Sequence, residues 1–127
     1  MIAQGKVLGA KYHVTVTNPP YAGSSNLSIK VNIYLKKNYS DSKADLFAVF
    51  IERCGQLIIE NGYQAMITQH SWMFLFSFEK LRKKMIQNEI INMVHLGARA
   101  FEEIGGEVVQ TTAFVQRLNY IRGLIVD

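Results

Sequence analysis

Residues 15–23 read Thr-Val-Thr-Asn-Pro-Pro-Tyr-Ala-Gly and hold both prolines of the chain side by side. The residues before Asn18, Tyr12 to Thr17, are mostly β-branched or aromatic and contain no breaker, which predicts a strand ending at Asn18. Each proline fixes φ, lacks an N–H and pushes the residue before it into an extended conformation. The turn is therefore rigid and presents bare carbonyl oxygens. The Asn18 side-chain oxygen and the Pro19 carbonyl are two acceptors, and Tyr21 sets a flat ring beside them. Two acceptors and a π-face suit a planar amine whose lone pair is delocalised into a ring. Hydrogen bonds from both of its N–H groups favour pyramidalisation and free the lone pair for attack. The plain alternative is a strand-ending Asn-Pro turn without chemistry.

Other reactive side chains point less clearly. Cys54 is the lone cysteine, so it forms no internal disulfide and lacks zinc-site spacing; it reads as a small buried hydrophobe, and no metal is implied. His70 and Trp72 follow a predicted strand and could face the same site, although a lone histidine there is more often a satisfied hydrogen-bonding residue. The basic clusters Lys36-Lys37 and Arg82-Lys83-Lys84 read as solvated faces. A net charge of +4 permits contact with nucleic acid without demonstrating it.

Several elements must position the turn. A polar stretch from Ala22 to Ser28, then a Lys- and Tyr-bearing segment to Ser42, predicts a long loop carrying a turn of helix, a place suited to handling substrate. Ala44, Phe47, Ala48 and Ile51 recur at helical spacing up to Cys54-Gly55, with Asp41 or Ser42 as cap and Glu52 and Arg53 turned outward. Asn61-Gly62 punctuates, and residues 63–68 predict a buried strand. Phe78, Leu81, Met85 and Ile86 fall on one side of a second helix. Strands follow at Ile90–His95 and Val108–Val115, with Gly97 and Gly105-Gly106 as turns and a short strand at Leu124–Val126. The order strand, helix, strand, helix, strand, strand predicts an α/β fold with parallel crossovers and a hairpin-like antiparallel return. At 127 residues and 49% hydrophobic composition the chain reads as one soluble domain or less. It has no apolar run near the ~20 residues of a membrane span and no signal peptide, so a cytoplasmic location is expected.

Taken together, the Asn18-Pro19-Pro20-Tyr21 turn resembles the catalytic motif of S-adenosylmethionine-dependent amino-methyltransferases, in particular the N6-adenine DNA methyltransferases of the γ motif order. The tetrapeptide is shared with protein-glutamine N5-methyltransferases, so longer blocks must separate the substrates. "DLFAVFIERC" (45–54), "NGYQAMITQHSWMFLFSFEKLR" (61–82) and "LGARAFEEIGGEVVQTTAFVQR" (96–117) are similar, in order, to the blocks that follow the motif in large adenine methyltransferases of phage defence. The likeness is nearest to the BREX or phage-growth-limitation type.

The resemblance implies a Rossmann-like methyltransferase domain, of which residues 1–127 would be the C-terminal half, with a mixed sheet and an antiparallel final strand. Asn18 and the Pro19 carbonyl would accept from the adenine N6 amine, Pro20 would fix the turn, and Tyr21 and Phe101 would stack on a flipped base. Asn18, Asp45, Leu46 and Phe47 would border the cofactor, although from the residues alone Asp45 to Phe47 read first as a helix cap and two core residues. His13 stands where the family usually has an acid. Only 17 residues precede Asn18 and none forms a glycine-rich cofactor turn, and by the same resemblance the target-recognition region is expected to lie outside residues 1–127. The chain alone is therefore expected to bind S-adenosylmethionine weakly or not at all and to be inactive. Double-stranded DNA would be the partner of the full-length protein, and an open sheet edge would invite self-association. A protein-glutamine methyltransferase fragment, or a non-catalytic nucleic-acid- or partner-binding fragment, are the alternative readings.

Overall fold

The computed structural model describes residues 2–98, 100 and 109–118. A short exposed helix α1 (Ile2–Gly9) leads into β1 (Tyr12–Thr17); α2 (Ile29–Asn38), α3 (Leu46–Gln56), β2 (Ile58–Gln69), α4 (Glu79–Met85), β3 (Glu89–Gly97) and β4 (Thr111–Arg117) follow. The strands form one sheet in the order β1-β2-β4-β3. β1 and β2 are parallel, and β4 is antiparallel to both β2 and β3. The predicted α/β class with an antiparallel final strand is thus the fold observed.

One face of the sheet carries the core. Phe47, Ala48 and Ile51 of α3 and Leu81 and Met85 of α4 pack with Met66, Trp72, Phe78 and Phe114 in one buried cluster. Each large side chain taken out of water there contributes about 1.5–3 kcal/mol. Two buried amides tie the layers: Gln116 Nε2 donates to Gln64 Oε1 at 2.6 Å, and Gln64 Nε2 donates to the Ile51 carbonyl at 2.9 Å. On the opposite face Val14 and Val16 of β1 stand 52% and 73% exposed beside Ala65, Ile67, Ala113, Val115 and Val94, with no described helix over them. Parallel strands are normally covered on both faces.

Several local expectations need correction. The segment expected to be a loop with one turn of helix contains the ten-residue α2. Ile29, Val31 and Ile33 alternate at a strand period and stay exposed, so periodicity hid a helix set instead by the Ser28 cap on Val31 N and by burial of Leu35. The cap of α3 is Asp45, not Asp41 or Ser42. Asp41 pairs with Lys84 at 2.8 Å, while the buried Ser42 hydroxyl donates to Glu52, which also meets Lys84 and so is not turned outward. Asn61-Gly62 does not precede the second strand but forms a bulge inside it, where β2 advances from Ile58 to Tyr63 while β1 advances only from Tyr12 to Val14. The strand expected at Val108–Val115 is β4, which begins at Thr111. Phe101, the Gly105-Gly106 turn and the strand expected at Leu124–Val126 lie outside the described residues.

Candidate active site

β1 delivers Asn18 to the carboxyl end of the sheet, exposed, with Pro19 buried behind it and Pro20 exposed. Ligands of open α/β sheets sit beyond such strand ends. The Tyr21 ring is half-buried and meets the wholly buried Phe47 edge-on, with centroids 5.8 Å apart; Phe47 in turn leans on Phe78 at 5.7 Å. Burial, and secondarily the Asp45 carboxylate, push the Tyr21 phenol above its ordinary range. Its hydroxyl is buried and has no hydrogen-bond partner among the described residues. Tyr21 is thus held as a neutral, oriented ring.

The chain leaving the turn is fastened to α3. Ala22 N–H donates to Asp45 Oδ1 at 3.0 Å, and the same oxygen accepts from Phe47 N–H at 3.2 Å. Leu46 N–H donates to the Ala22 carbonyl at 2.9 Å and Ser24 N–H to the Ala44 carbonyl at 3.2 Å, so Gly23 and Asp45 form an isolated antiparallel bridge. Asp45 Oδ1 is thereby occupied as helix cap and loop tie. Leu46 is half-buried against the smaller cluster of Leu35, Tyr39 and Val49. Sequence reasoning placed Asp45 in this neighbourhood but missed its bond to Ala22. An aspartate directly before an apolar helical run is the signal for its capping role.

The remaining candidates separate. Trp72 does not face the site: it is buried, its indole N–H donates to Thr68 Oγ1 at 2.8 Å, and it lies edge-on to Phe114. His70 follows β2 and sets Nδ1 3.0 Å from His95 Nε2 on β3. Burial, then His95, lowers its affinity for a proton below the ordinary imidazole value. His13 is exposed on β1, and Cys54 is half-buried, its thiol raised chiefly by burial. Among the described residues no three His, Cys, Asp or Glu side chains gather to hold a metal ion, and no helix is long and apolar enough to cross a membrane.

A trough of about 370 Å³ crosses the uncovered sheet face and reaches Asn18, the one member of the tetrapeptide that borders it. Val16, Ala65, Ile67, Val94 and Val115 make its walls apolar. It lies over the strands rather than at Tyr21, so it is a bare packing surface and not the slot in which a flat ring would meet the tyrosine.

Comparison with known proteins sharpens the picture. The profile of the Eco57I restriction-modification methylase family matches residues 5–101. Adenine-specific methyltransferase PglX of Lacticaseibacillus casei (strain Zhang) is 56% identical over 98% of this chain. Adenine-specific methyltransferase BrxX of Escherichia coli O9:H4 (strain HS) is 46% identical over 94% of it. The chain spans 10% of the length of each. Among solved structures, a Listeria monocytogenes protein classed as a class I S-adenosylmethionine-dependent methyltransferase superposes with a TM-score of 0.65. At 12% identity over 89% of this chain and 33% of that one, this likeness concerns the fold.

Proposed function

Because this chain belongs to the Eco57I restriction-modification methylase family, we propose that it is part of the catalytic domain of an adenine-specific DNA methyltransferase of phage defence or restriction-modification. In this reading it supplies the surface that holds the target amine. The observation that carries the reading is the rigid Asn18-Pro19-Pro20-Tyr21 turn at the carboxyl end of β1, entered from a strand and left through a tie to α3. The two relatives' names support adenine as the base, and the PglX and BrxX likeness supports the phage-defence setting.

The Asn18 Oδ1 and the Pro19 carbonyl accept the two N6 hydrogens, drawing the nitrogen toward tetrahedral geometry with its lone pair aimed away from the acceptors. Tyr21 stacks on the base, which must leave the duplex at a cost of a few kcal/mol. Phe47 acts through its edge contact with Tyr21 and fixes the plane of that ring. Phe101 is proposed for the other face of the base. S-adenosylmethionine, when bound, would supply an electrophilic methyl group: the N6 lone pair would form the nitrogen–carbon bond as the sulfur–carbon bond breaks, S-adenosylhomocysteine would leave, and the surplus N6 proton would depart to solvent.

The described residues fit one border of a cofactor site only. Asn18 is exposed and free to accept, whereas Asp45 Oδ1 is occupied and Phe47 enclosed. The rest of that pocket, and the contacts that read a DNA sequence, belong in this proposal to further parts of a protein of the relatives' length. The exposed edge of β1 and the bare face beside it are proposed to drive self-association of the chain in isolation.

The test is nucleoside mass spectrometry of genomic DNA from cells expressing full-length protein that carries this segment, beside Asn18→Ala. N6-methyladenine present with the first and lost with the second supports the reading. Equal levels in both overturn it and favour a protein-glutamine substrate or a binding role.

A further inference from the structure

We propose that Asp45 is the positioning residue of the amine-holding turn: a single carboxylate oxygen locks the exit of Asn18–Tyr21 to the first turn of α3. The inference rests on the proposed function of that turn. Two consecutive prolines remove the N–H donors at positions 19 and 20, so the turn cannot brace itself with hydrogen bonds from its own middle. It has to be held from its flanks. Parallel pairing of β1 with β2, with Thr17 opposite Met66, holds the entry. At the exit, the Ala22 N–H donates 3.0 Å to Asp45 Oδ1.

The same oxygen accepts 3.2 Å from Phe47 N–H, so the tie and the helix cap share one atom. The Phe47 ring is the surface against which Tyr21 stands at 5.8 Å and 81°. Backbone and ring of the turn are therefore referred to one helix end. The Leu46 and Ser24 bonds to the Ala22 and Ala44 carbonyls extend the tie into a short bridge. An anionic cap is also favoured by the positive end of the helix dipole. With Oδ1 accepting two backbone hydrogens, only Oδ2 is left to meet a cofactor hydroxyl. Misplacement of a reacting group by about 1 Å is enough to cost on the order of a hundredfold in rate.

Three variants of the full-length protein separate the possibilities, each measured for kcat, for KM of S-adenosylmethionine and for melting temperature. Asp45→Asn keeps an acceptor oxygen in place and should retain kcat within about threefold. Asp45→Ser keeps a hydroxyl that caps Phe47 N–H but stops short of Ala22. It should melt near the unaltered protein, lose about 10- to 100-fold in kcat and hold KM within about threefold. Asp45→Ala should lose both kcat and melting temperature. Unchanged kcat in Asp45→Ser would show a cap and nothing more, and a tenfold rise in cofactor KM at unchanged kcat would show a cofactor ligand; either overturns the proposal. If Asp45→Ser fails to fold, Asp45→Thr, which also caps with a short hydroxyl, takes its place with the same two outcomes, and a tenfold fall of kcat in Asp45→Asn overturns the tie. Asn18→Ala run alongside separates this from the underlying reading. Activity that survives Asn18→Ala sinks both, whereas Asn18-dependent activity that Asp45→Ser leaves untouched sinks the tie alone.

Discussion

Gly62→Ala should destabilise the chain by about 3 kcal/mol, because the bulge that sets β1 against β2 leaves no room for a methyl group. A Cβ at Gly62 would stand 2.2 Å from Ile58 Cγ2, 2.8 Å from the His13 carbonyl oxygen and 3.0 Å from that of Ile59. None of these neighbours yields easily. Ile58 is buried and β-branched, so its methyl moves only by leaving its χ1 well, and both oxygens are backbone. Relief therefore requires β1 to move off β2, with overpacking worth about 1–3 kcal/mol. The two bonds that seat the bulge also weaken, from Asn61 N–H to the Leu118 carbonyl at 2.7 Å and from Leu118 N–H to the Gly62 carbonyl at 2.9 Å. Such bonds contribute roughly 1 kcal/mol each. The sum corresponds to on the order of a hundredfold in the folding equilibrium. A urea titration read by Trp72, the single tryptophan, buried against Phe114, suits the measurement. The midpoint should fall by roughly 1–3 M at unchanged slope. Asn61→Gly is the control: Asn61 has φ 63°, a conformation glycine adopts freely, so its midpoint should barely move. A Gly62→Ala midpoint within about 0.3 M of the unaltered chain would refute the reasoning.

Further outcomes follow from other features. The proton affinity of His70 is depressed below its ordinary value of 6.5, first by burial and then by His95, whereas the unfolded imidazole is free to protonate. The penalty is absent above that value and grows as pH falls through it, so urea midpoints should drop on acidification below about 6.5. His70→Gln should remove that part of the decline, and an identical pH profile would count against it. Val16→Lys, on the exposed edge strand, should shift sedimentation of the isolated chain toward the monomer, and a monomer at every concentration without the substitution would contradict self-association. Calorimetric titration of the isolated chain with S-adenosylmethionine should give no saturable heat up to about 0.1 mM, and micromolar binding would show that a cofactor site is complete without further protein.

Sequence alone was enough for the features that depend on near neighbours. The β-branched and aromatic run Tyr12–Thr17, the helical spacing in residues 44–55 and 78–86, and the strand near Ile90 are local signals, and each corresponds to an observed element. The double proline was equally legible, since its stiffness is intrinsic to the residues. What pairing across the chain decides could not be read in this way. α2 was hidden because its apolar residues alternate at a strand period and only Leu35 is buried. Asn61-Gly62 looks like any turn until β1 lies beside it, and only then does a bulge in β2 set the register. β4 inserts between β2 and β3, an outcome of closing a sheet rather than of any residue pattern. The bond between Ala22 and Asp45 joins residues far apart in the chain, and neither residue type announces the other. Local propensity acts within a few residues, whereas the placement of the Asn18–Tyr21 turn depends on hydrogen bonds and packing that exist only once β1, β2 and α3 have met.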